Sequence, residues 1–143
     1  MKVTSPEFGH NEMIPARFTA DGENVNPPLD IEGAPDGAKS LVLIMDDPDA
    51  PAGTWVHWVV YDIPVASRIK ANSIPGTQGD NSFARTDYGG PAPPSGTHRY
   101  FFKVYALDRK LDLPEGKSKA DVEAAMKGHV LAKAELIGLY KRK

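Results

Sequence analysis

Residues 41–63 read Leu41-Val42-Leu43-Ile44-Met45-Asp46-Asp47-Pro48-Asp49-Ala50-Pro51-Ala52-Gly53-Thr54-Trp55-Val56-His57-Trp58-Val59-Val60-Tyr61-Asp62-Ile63. An apolar run ends in three carboxylates interrupted by two prolines, and a run rich in β-branched and aromatic residues follows. β-branched and aromatic side chains suit a pleated, half-buried surface, so two strands are predicted, Ser40–Met45 and Thr54–Ile63. Side chains alternate across a strand. Leu41, Leu43, Met45 and Asp47 therefore share one face, and Val42, Ile44 and Asp46 the other. Both faces are apolar until the end, as in a central strand. On the second strand Trp55, His57, Val59 and Tyr61 share a face, with Val56, Trp58 and Val60 opposite.

A third strand is predicted over 98–107, placing His98, Tyr100, Phe102 and Val104 together and Arg99, Phe101, Lys103 and Tyr105 opposite. Residues 64–97 carry little periodicity, and a connection of that length inside a compact chain is often functional. It closes in Tyr88-Gly89-Gly90-Pro91-Ala92-Pro93-Pro94-Ser95-Gly96, stiff at the prolines and open to close backbone approach at the glycines. Residues 1–40 are rich in turns, with short strands expected around 17–19 and 29–31. Ser118 can cap a helix, with Asp121 three residues on. Val122, Ala125, Met126, His129 and Val130 then form a helical stripe, and the helix is expected to end near Leu131. Residues 134–141 are expected as a terminal strand.

The 13 glycines and 13 prolines lie in clusters between apolar runs, the punctuation of an all-β chain. No repeat or linker divides the 143 residues, so one domain over 1–143 is expected. Lys and Arg number 17 against 19 Asp and Glu, a net charge of −2 that offers no general attraction to nucleic acid or anionic membrane. No cysteine is present, which excludes a disulfide framework and thiolate chemistry. The start lacks the apolar core of a secretory signal, and no stretch approaches the ~20 apolar residues of a membrane span. A cytoplasmic protein that is not integral to a membrane is expected.

Asp47, His57, His98 and Tyr100 converge as candidates from the three strands. Histidine donors, a tyrosine hydroxyl and the backbone N–H of Ala92 suit a small anion such as phosphate or carboxylate, whereas Pro93 and Pro94 have no N–H to give. Asp47 fits such a site if it shares a proton with the ligand or orients an imidazolium, so a protonatable phosphate is favoured and binding weakens at high pH. Other readings stand beside this one. His57 between two tryptophans reads equally as a satisfied core residue. Asp49 reads more simply as a turn-fastening group, His129 as a packing residue on its helix, and Phe101 and Tyr105 as core. Asp47, His57 and His98 also compose a two-histidine, one-carboxylate metal set, without the close histidine pair that would sharpen it. No Gly-x-Ser-x-Gly elbow supports a serine hydrolase, and Ser95 is ordinary turn chemistry.

Two ordered stretches, Asp47-Pro48-Asp49-Ala50-Pro51 with Trp55 and His57, and Gly96-Thr97-His98-Arg99-Tyr100, resemble the signatures of the phosphatidylethanolamine-binding proteins. The form is that of the short bacterial and archaeal, Raf kinase inhibitor-like branch. Asp21–Leu29 and Gly89–Pro94 resemble that branch too, and the likeness spans roughly 8–142. The resemblance implies a mainly β fold: a sandwich of two antiparallel sheets with Greek-key-like connections and a short C-terminal helix. It implies an anion pocket, for a phosphate-like or phosphoethanolamine-like group, lined by Asp47, His57, His98 and Tyr100. Pro51 and Trp55 would shape it, Ala92 would offer its N–H, and the Ala50–Pro51 bond would be cis. No cofactor or metal is implied. Val56 stands where many eukaryotic members carry a second histidine, the loop before His98 is shorter, and an extra C-terminal helix is missing. A non-enzymatic binding protein, able to regulate a partner, is the leading expectation. An inhibitor of a kinase or serine protease acting through 64–97 is the alternative, and a hydrolase using Asp47 and His57 as acid and base ranks last. The likeness also makes a homodimer a fair expectation.

Overall fold

The structure, a computed structural model, describes residues 1–142. Across them run nine strands and one α-helix: β1 Lys2–Thr4, β2 Glu12–Met13, β3 Leu29–Glu32, β4 Ser40–Asp47, β5 Trp55–Ile63, β6 Arg68–Ile69, β7 Thr77–Gln78, β8 His98–Leu107, α1 Lys119–Met126 and β9 Val130–Tyr140. A six-stranded sheet has the order β2-β9-β8-β4-β5-β7, and a three-stranded sheet the order β1-β3-β6. The expected mainly β architecture of two sheets and one short helix is present. Its pairings are antiparallel except between β2 and β9, which run parallel over two residues.

The large sheet is apolar on both sides because both sides are covered. Leu41, Leu43 and Met45 of β4 join Tyr100, Phe102 and Val104 of β8 and Leu29 and Ile31 of β3 in the core between the sheets. Val42 and Ile44 pack on the reverse with Val59, Tyr61, Leu111, Val122 and Met126, under α1 and the segment before it. Strand β4 thus lies centrally, as its two apolar faces require. Helix α1 is tied down by Asp46, whose Oδ2 accepts from Lys103 Nζ at 3.1 Å and Lys119 Nζ at 2.9 Å.

Several elements differ from expectation. Residues 16–18 form a 3-10 turn where a strand is predicted, because Thr19 closes on Ala16 O through both its N–H and its hydroxyl. Ser118 caps α1 by accepting from Asp121 N–H, as expected, yet the helix stops at Met126. Gly128, at φ 84, turns the chain into β9. His129 therefore leaves the apolar stripe and meets Asp108 Oδ1 at 2.9 Å. The terminal strand includes the expected 134–141 up to Tyr140 and begins earlier, at Val130. Phe101 and Tyr105 are both half-buried: Tyr105 packs against the helix-side core, as expected, whereas Phe101 lies under Arg99 and Lys103, which sit over its ring. No helix among the described residues is long and apolar enough to cross a membrane.

The long segment 64–97 divides in two. Its first part carries β6, β7 and exposed Ile74 and Val65. Its second part is anchored by buried Asn81, which donates to Asp87 O at 2.7 Å and accepts from Phe83 and Arg85 N–H. Gly89 and Gly90 then press against neighbouring groups. A Cβ on Gly89 would sit 2.5 Å from the Phe83 ring, and one on Gly90 2.4 Å from Asn24 Oδ1.

Candidate functional site

The C-terminal end of β4, the start of β5 and the start of β8 meet at one end of the sandwich. Around them lies a cavity of about 280 Å³ lined by Asp47, Ala50, Pro51, Trp55, His57, Phe83, Ala92, Pro93, Pro94, His98 and Tyr100. All seven residues singled out from the sequence thus surround one space.

His57 reaches it by a route that simple alternation does not foresee. Asp47 pairs with Trp55, Asp46 with Val56 and Met45 with Trp58, so His57 is the extra residue of a β-bulge. A bulge shifts the side-chain phase by one. His57 and Trp58 consequently both turn toward the inter-sheet side, while Val59 and Tyr61 turn to the helix side. The predicted sharing of a face by His57, Val59 and Tyr61 is corrected by this bulge.

The polar groups form a fixed set. His98 Nδ1 lies 2.6 Å from Asp47 Oδ2, and Asp47 Oδ1 accepts the Asp49 N–H at 2.7 Å. Because a carboxylate only accepts, Nδ1 of His98 carries the proton. His57 Nδ1 lies 2.6 Å from the carbonyl oxygen of Gly89, so that nitrogen is also a donor. Burial lowers the His57 pKa below its ordinary 6.5, against the pull of the Gly89 carbonyl and the Asp47 charge. A neutral imidazole donating through Nδ1 presents Nε2 as an acceptor. Asp47 and His57 do not bond to each other, and Asp47 is occupied by His98. Asp47, His57 and His98 are 3%, 3% and 6% exposed, so water scarcely screens them.

Tyr100 lies between the two imidazoles, edge-on to His57 at 5.2 Å and stacked near His98 at 6.4 Å between ring centroids. Its hydroxyl is the one buried side-chain polar atom without a hydrogen-bond partner among the described residues. Burial and the neighbouring Asp47 charge raise its pKa, keeping the O–H a donor. A buried, unsatisfied hydroxyl costs about 1–3 kcal/mol.

The frame around these groups is rigid. Asp49 does not line the cavity. Its carboxylate receives Arg99 N–H and Nε on one oxygen and Arg99 Nη2 on the other, at 2.9, 3.0 and 2.9 Å. The guanidinium holds the Asp49 carboxyl down to about 2. Asp49 therefore fastens the turn to β8, and Asp47 Oδ1 tightens the turn itself. The Ala50–Pro51 bond is trans, as is every peptide bond among the described residues, in contrast to the expected cis form. Gly53, at φ 112 and with its N–H bonded to Ala50 O, reverses the chain instead. No group of three or more His, Asp or Glu close enough to hold a metal occurs among the described residues.

A family model described as phosphatidylethanolamine-binding protein matches residues 4–141. The chain belongs to the phosphatidylethanolamine-binding protein family. Within that family it is 50% identical over 150 residues to a UPF0098 protein of Methanothermobacter thermautotrophicus, covering 99% of each chain. It is 51% identical over 152 residues to one from Aquifex aeolicus, covering 99% of this chain and 89% of the relative. A crystal structure of a phosphatidylethanolamine-binding protein homologue from Chlamydia trachomatis superposes with a TM-score of 0.96 at 40% identity, covering 99% of this chain and 97% of the other. Escherichia coli YbcL, described as a member of the mammalian phosphatidylethanolamine-binding protein family, superposes with a TM-score of 0.91 at 31% identity, covering 99% and 98%.

Sequence reasoning did not single out every wall of this cavity. Phe83 packs edge-on against both Trp55 and His57, with ring centroids 5.4 Å apart in each case. Pro93, Pro94 and Ala50 complete the lining. Phe83 sits in an aperiodic stretch, so its place depends on the path set by Asn81, which no local pattern reveals.

Proposed function

We propose that this protein binds a small oxyanion, a phosphate monoester above all, through Asp47, His57, His98, Tyr100 and the Ala92 N–H, as a binding protein rather than a catalyst. The unpartnered Tyr100 hydroxyl carries the reading. A donor held buried without an acceptor is satisfied when a ligand oxygen enters, so its cost is recovered on binding. His98 is oriented by Asp47, and a bound anion beside that pair favours the imidazolium, which donates through Nε2. His57 presents an acceptor, which matches a phosphate that still carries one proton. Tyr100 and His98 then give hydrogen bonds, and His57 receives one. Ala50, Pro51, Trp55, Phe83, Pro93 and Pro94 supply an apolar wall for whatever the oxyanion is attached to.

The ligand's own titration sets the pH dependence. A phosphate ester loses its second proton near pH ~6. Above that pH the P–OH donor disappears, leaving His57 Nε2 facing a ligand oxygen with no hydrogen between them. Affinity falls as pH rises. Calorimetric titration with inorganic phosphate and with phenyl phosphate at pH 5.5 and 8 tests this, the pH values being chosen around that second pKa. Dissociation constants on the order of millimolar or below are expected at the lower pH. Binding unchanged in both Asp47→Asn and His98→Ala would refute the site assignment.

A further inference from the structure

On the reading of the cavity as an oxyanion pocket, on which this inference rests, we propose that Arg142 is a ligand-selecting residue at its rim, passing its guanidinium from Asp21 to a second anionic group of the ligand. The favoured ligand class is then a phosphate monoester that also carries a carboxylate or a further phosphate a few bonds away. Strand pairing brings Arg142 to the right end of the sandwich. His98 is the cross-strand partner of Tyr140, so the chain leaving β9 runs past the start of β8, where the cavity lies. Tyr140 packs in the core between the sheets together with Tyr100. Arg142, two residues on, takes the same side, as alternation predicts. Both bond to Asp21, the Tyr140 hydroxyl to Oδ2 at 2.7 Å and Arg142 Nε to Oδ1 at 3.3 Å. The turn that carries Asp21 is tied to the cavity wall just before Ala92. Ala20 N–H bonds to Pro91 O at 3.0 Å, and Gly90 N–H to Asn24 Oδ1 at 2.8 Å.

The Arg142–Asp21 contact has the form of a resting place rather than a clamp. Arg99 shows what a clamp looks like at this end, with Nε and Nη2 on opposite oxygens of Asp49. Arg142 engages through Nε alone at 3.3 Å, and the two side chains are 45% and 37% exposed. An exposed pair of that kind contributes little to stability. Neither Nη group of Arg142 has a hydrogen-bond partner among the described residues. The planar fork that can hold an oxyanion by two parallel bonds is therefore unspent. Asp21 keeps the Tyr140 hydroxyl when Arg142 leaves. The guanidinium charge already acts on the pocket. Burial, and after it the Asp47 charge, raise the Tyr100 pKa, while Arg142 pulls it back. Arg142 thus lies within electrostatic reach of the hydroxyl that awaits a ligand oxygen. Strands β9 and β5 lie on opposite sides of the β8–β4 pair, so the cation approaches from the side away from Trp55 and Phe83. An ester with its apolar part toward those rings would turn a second charge toward Arg142.

Calorimetric titration with 3-phosphoglycerate and with glycerol 3-phosphate tests this, because the two esters differ only in a carboxylate against a hydroxymethyl group. The titrations are run at about pH 5.5, where the phosphate keeps one proton and the carboxylate is ionised, and at low ionic strength, where exposed charges are least screened. Wild-type protein should bind 3-phosphoglycerate about fivefold more tightly, the upper range for an exposed ion pair. Arg142→Gln should bring that ratio to about one. Asp21→Asn keeps an acceptor for the Tyr140 hydroxyl and weakens the competing hold on Arg142. It should raise the ratio roughly twofold in the wild-type background and leave it unaltered in Arg142→Gln. A general gain in positive field would instead raise it in both backgrounds, so the cycle isolates the exchange. Circular dichroism establishes that these surface variants fold. A wild-type ratio near one, a ratio that survives Arg142→Gln, or an Asp21→Asn effect independent of Arg142 would overturn the proposal and leave the pocket assignment standing. Failure of both esters to bind would overturn the two together.

Discussion

Asp47 and His98, on neighbouring strands of the large sheet, meet at 2.6 Å between Oδ2 and Nδ1, and both side chains are almost wholly removed from water. A buried ionisable pair answers asymmetrically to the loss of its members. His98→Ala leaves the Asp47 carboxylate buried with only the Asp49 N–H, and a loss of about 3–5 kcal/mol in unfolding free energy is expected. Asp47→Asn keeps the shape and removes the charge, so it costs less, about 1–3 kcal/mol. Urea denaturation near neutral pH measures both. Equal, small losses would show that the pair is not held as described.

Tyr100→Phe separates binding from stability. The variant deletes a buried hydroxyl that no group among the described residues satisfies. Stability should stay level or rise by about 1 kcal/mol, because an unsatisfied buried group disappears. Affinity for phenyl phosphate should fall about tenfold, the worth of one hydrogen bond to a charged ligand. A variant that loses stability and keeps its affinity would place the hydroxyl in the fold rather than the site.

Acid should weaken the folded chain in two stages. His57 has a folded pKa below 6.5, so the unfolded chain binds more protons there and stability falls as pH drops below 6.5. Asp49 goes from 3.8 down to about 2 on folding, so its contribution is present above 3.8 and lost as pH falls toward 2. Because the Asp49–Arg99 pair is partly exposed and water screens it, this second stage is small. Urea midpoints measured at pH 7.5, 5.5 and 3 resolve the stages around those pKa values. His57→Gln should abolish the first stage and leave the second. An unaltered slope near pH 6 in that variant would assign the titration to another group.

Gly90→Ala tests the wall that holds Ala92. The added methyl would lie 2.4 Å from Asn24 Oδ1 and 2.6 Å from Phe18 O, and the second of these is backbone. A loss of about 1–3 kcal/mol in stability is expected from the forced shift, together with weaker phosphate binding. Thermal melting and calorimetry on the same sample check both.

The strands that build the site were legible because their residues alternate or stay apolar over eight to ten positions, as in Ser40–Asp47 and His98–Leu107. The burial of β4 on both sides followed from its two apolar faces. The phase of His57 was not legible. A one-residue bulge depends on how β5 registers against β4, and nothing in Trp55-Val56-His57-Trp58 marks it. Helix α1 ended early for a local reason, Gly128 in a left-handed conformation, which the apolar stripe through His129 concealed. Phe83, Pro93 and Pro94 became pocket walls through bonds that tie the segment to β5, from Asn81 Nδ2 and Gly89 N–H to His57 O and from Ser82 N–H to Val56 O, and through the packing of Gly89 and Gly90. Such anchoring joins residues far apart in the chain, so no local window contains it.

The most direct measurement is a long-range 1H–15N spectrum of the histidine side chains, recorded before and after saturation with phosphate. The chain has four histidines, and His10 and His129 lie away from the cavity as internal controls. Free protein should show His57 neutral with its proton on Nδ1. Phosphate should then move the Nε2 signals of His57 and His98 and leave His10 and His129 in place. Unmoved His57 and His98 signals, or equal shifts at all four rings, would contradict the assignment of an anion site to this pocket.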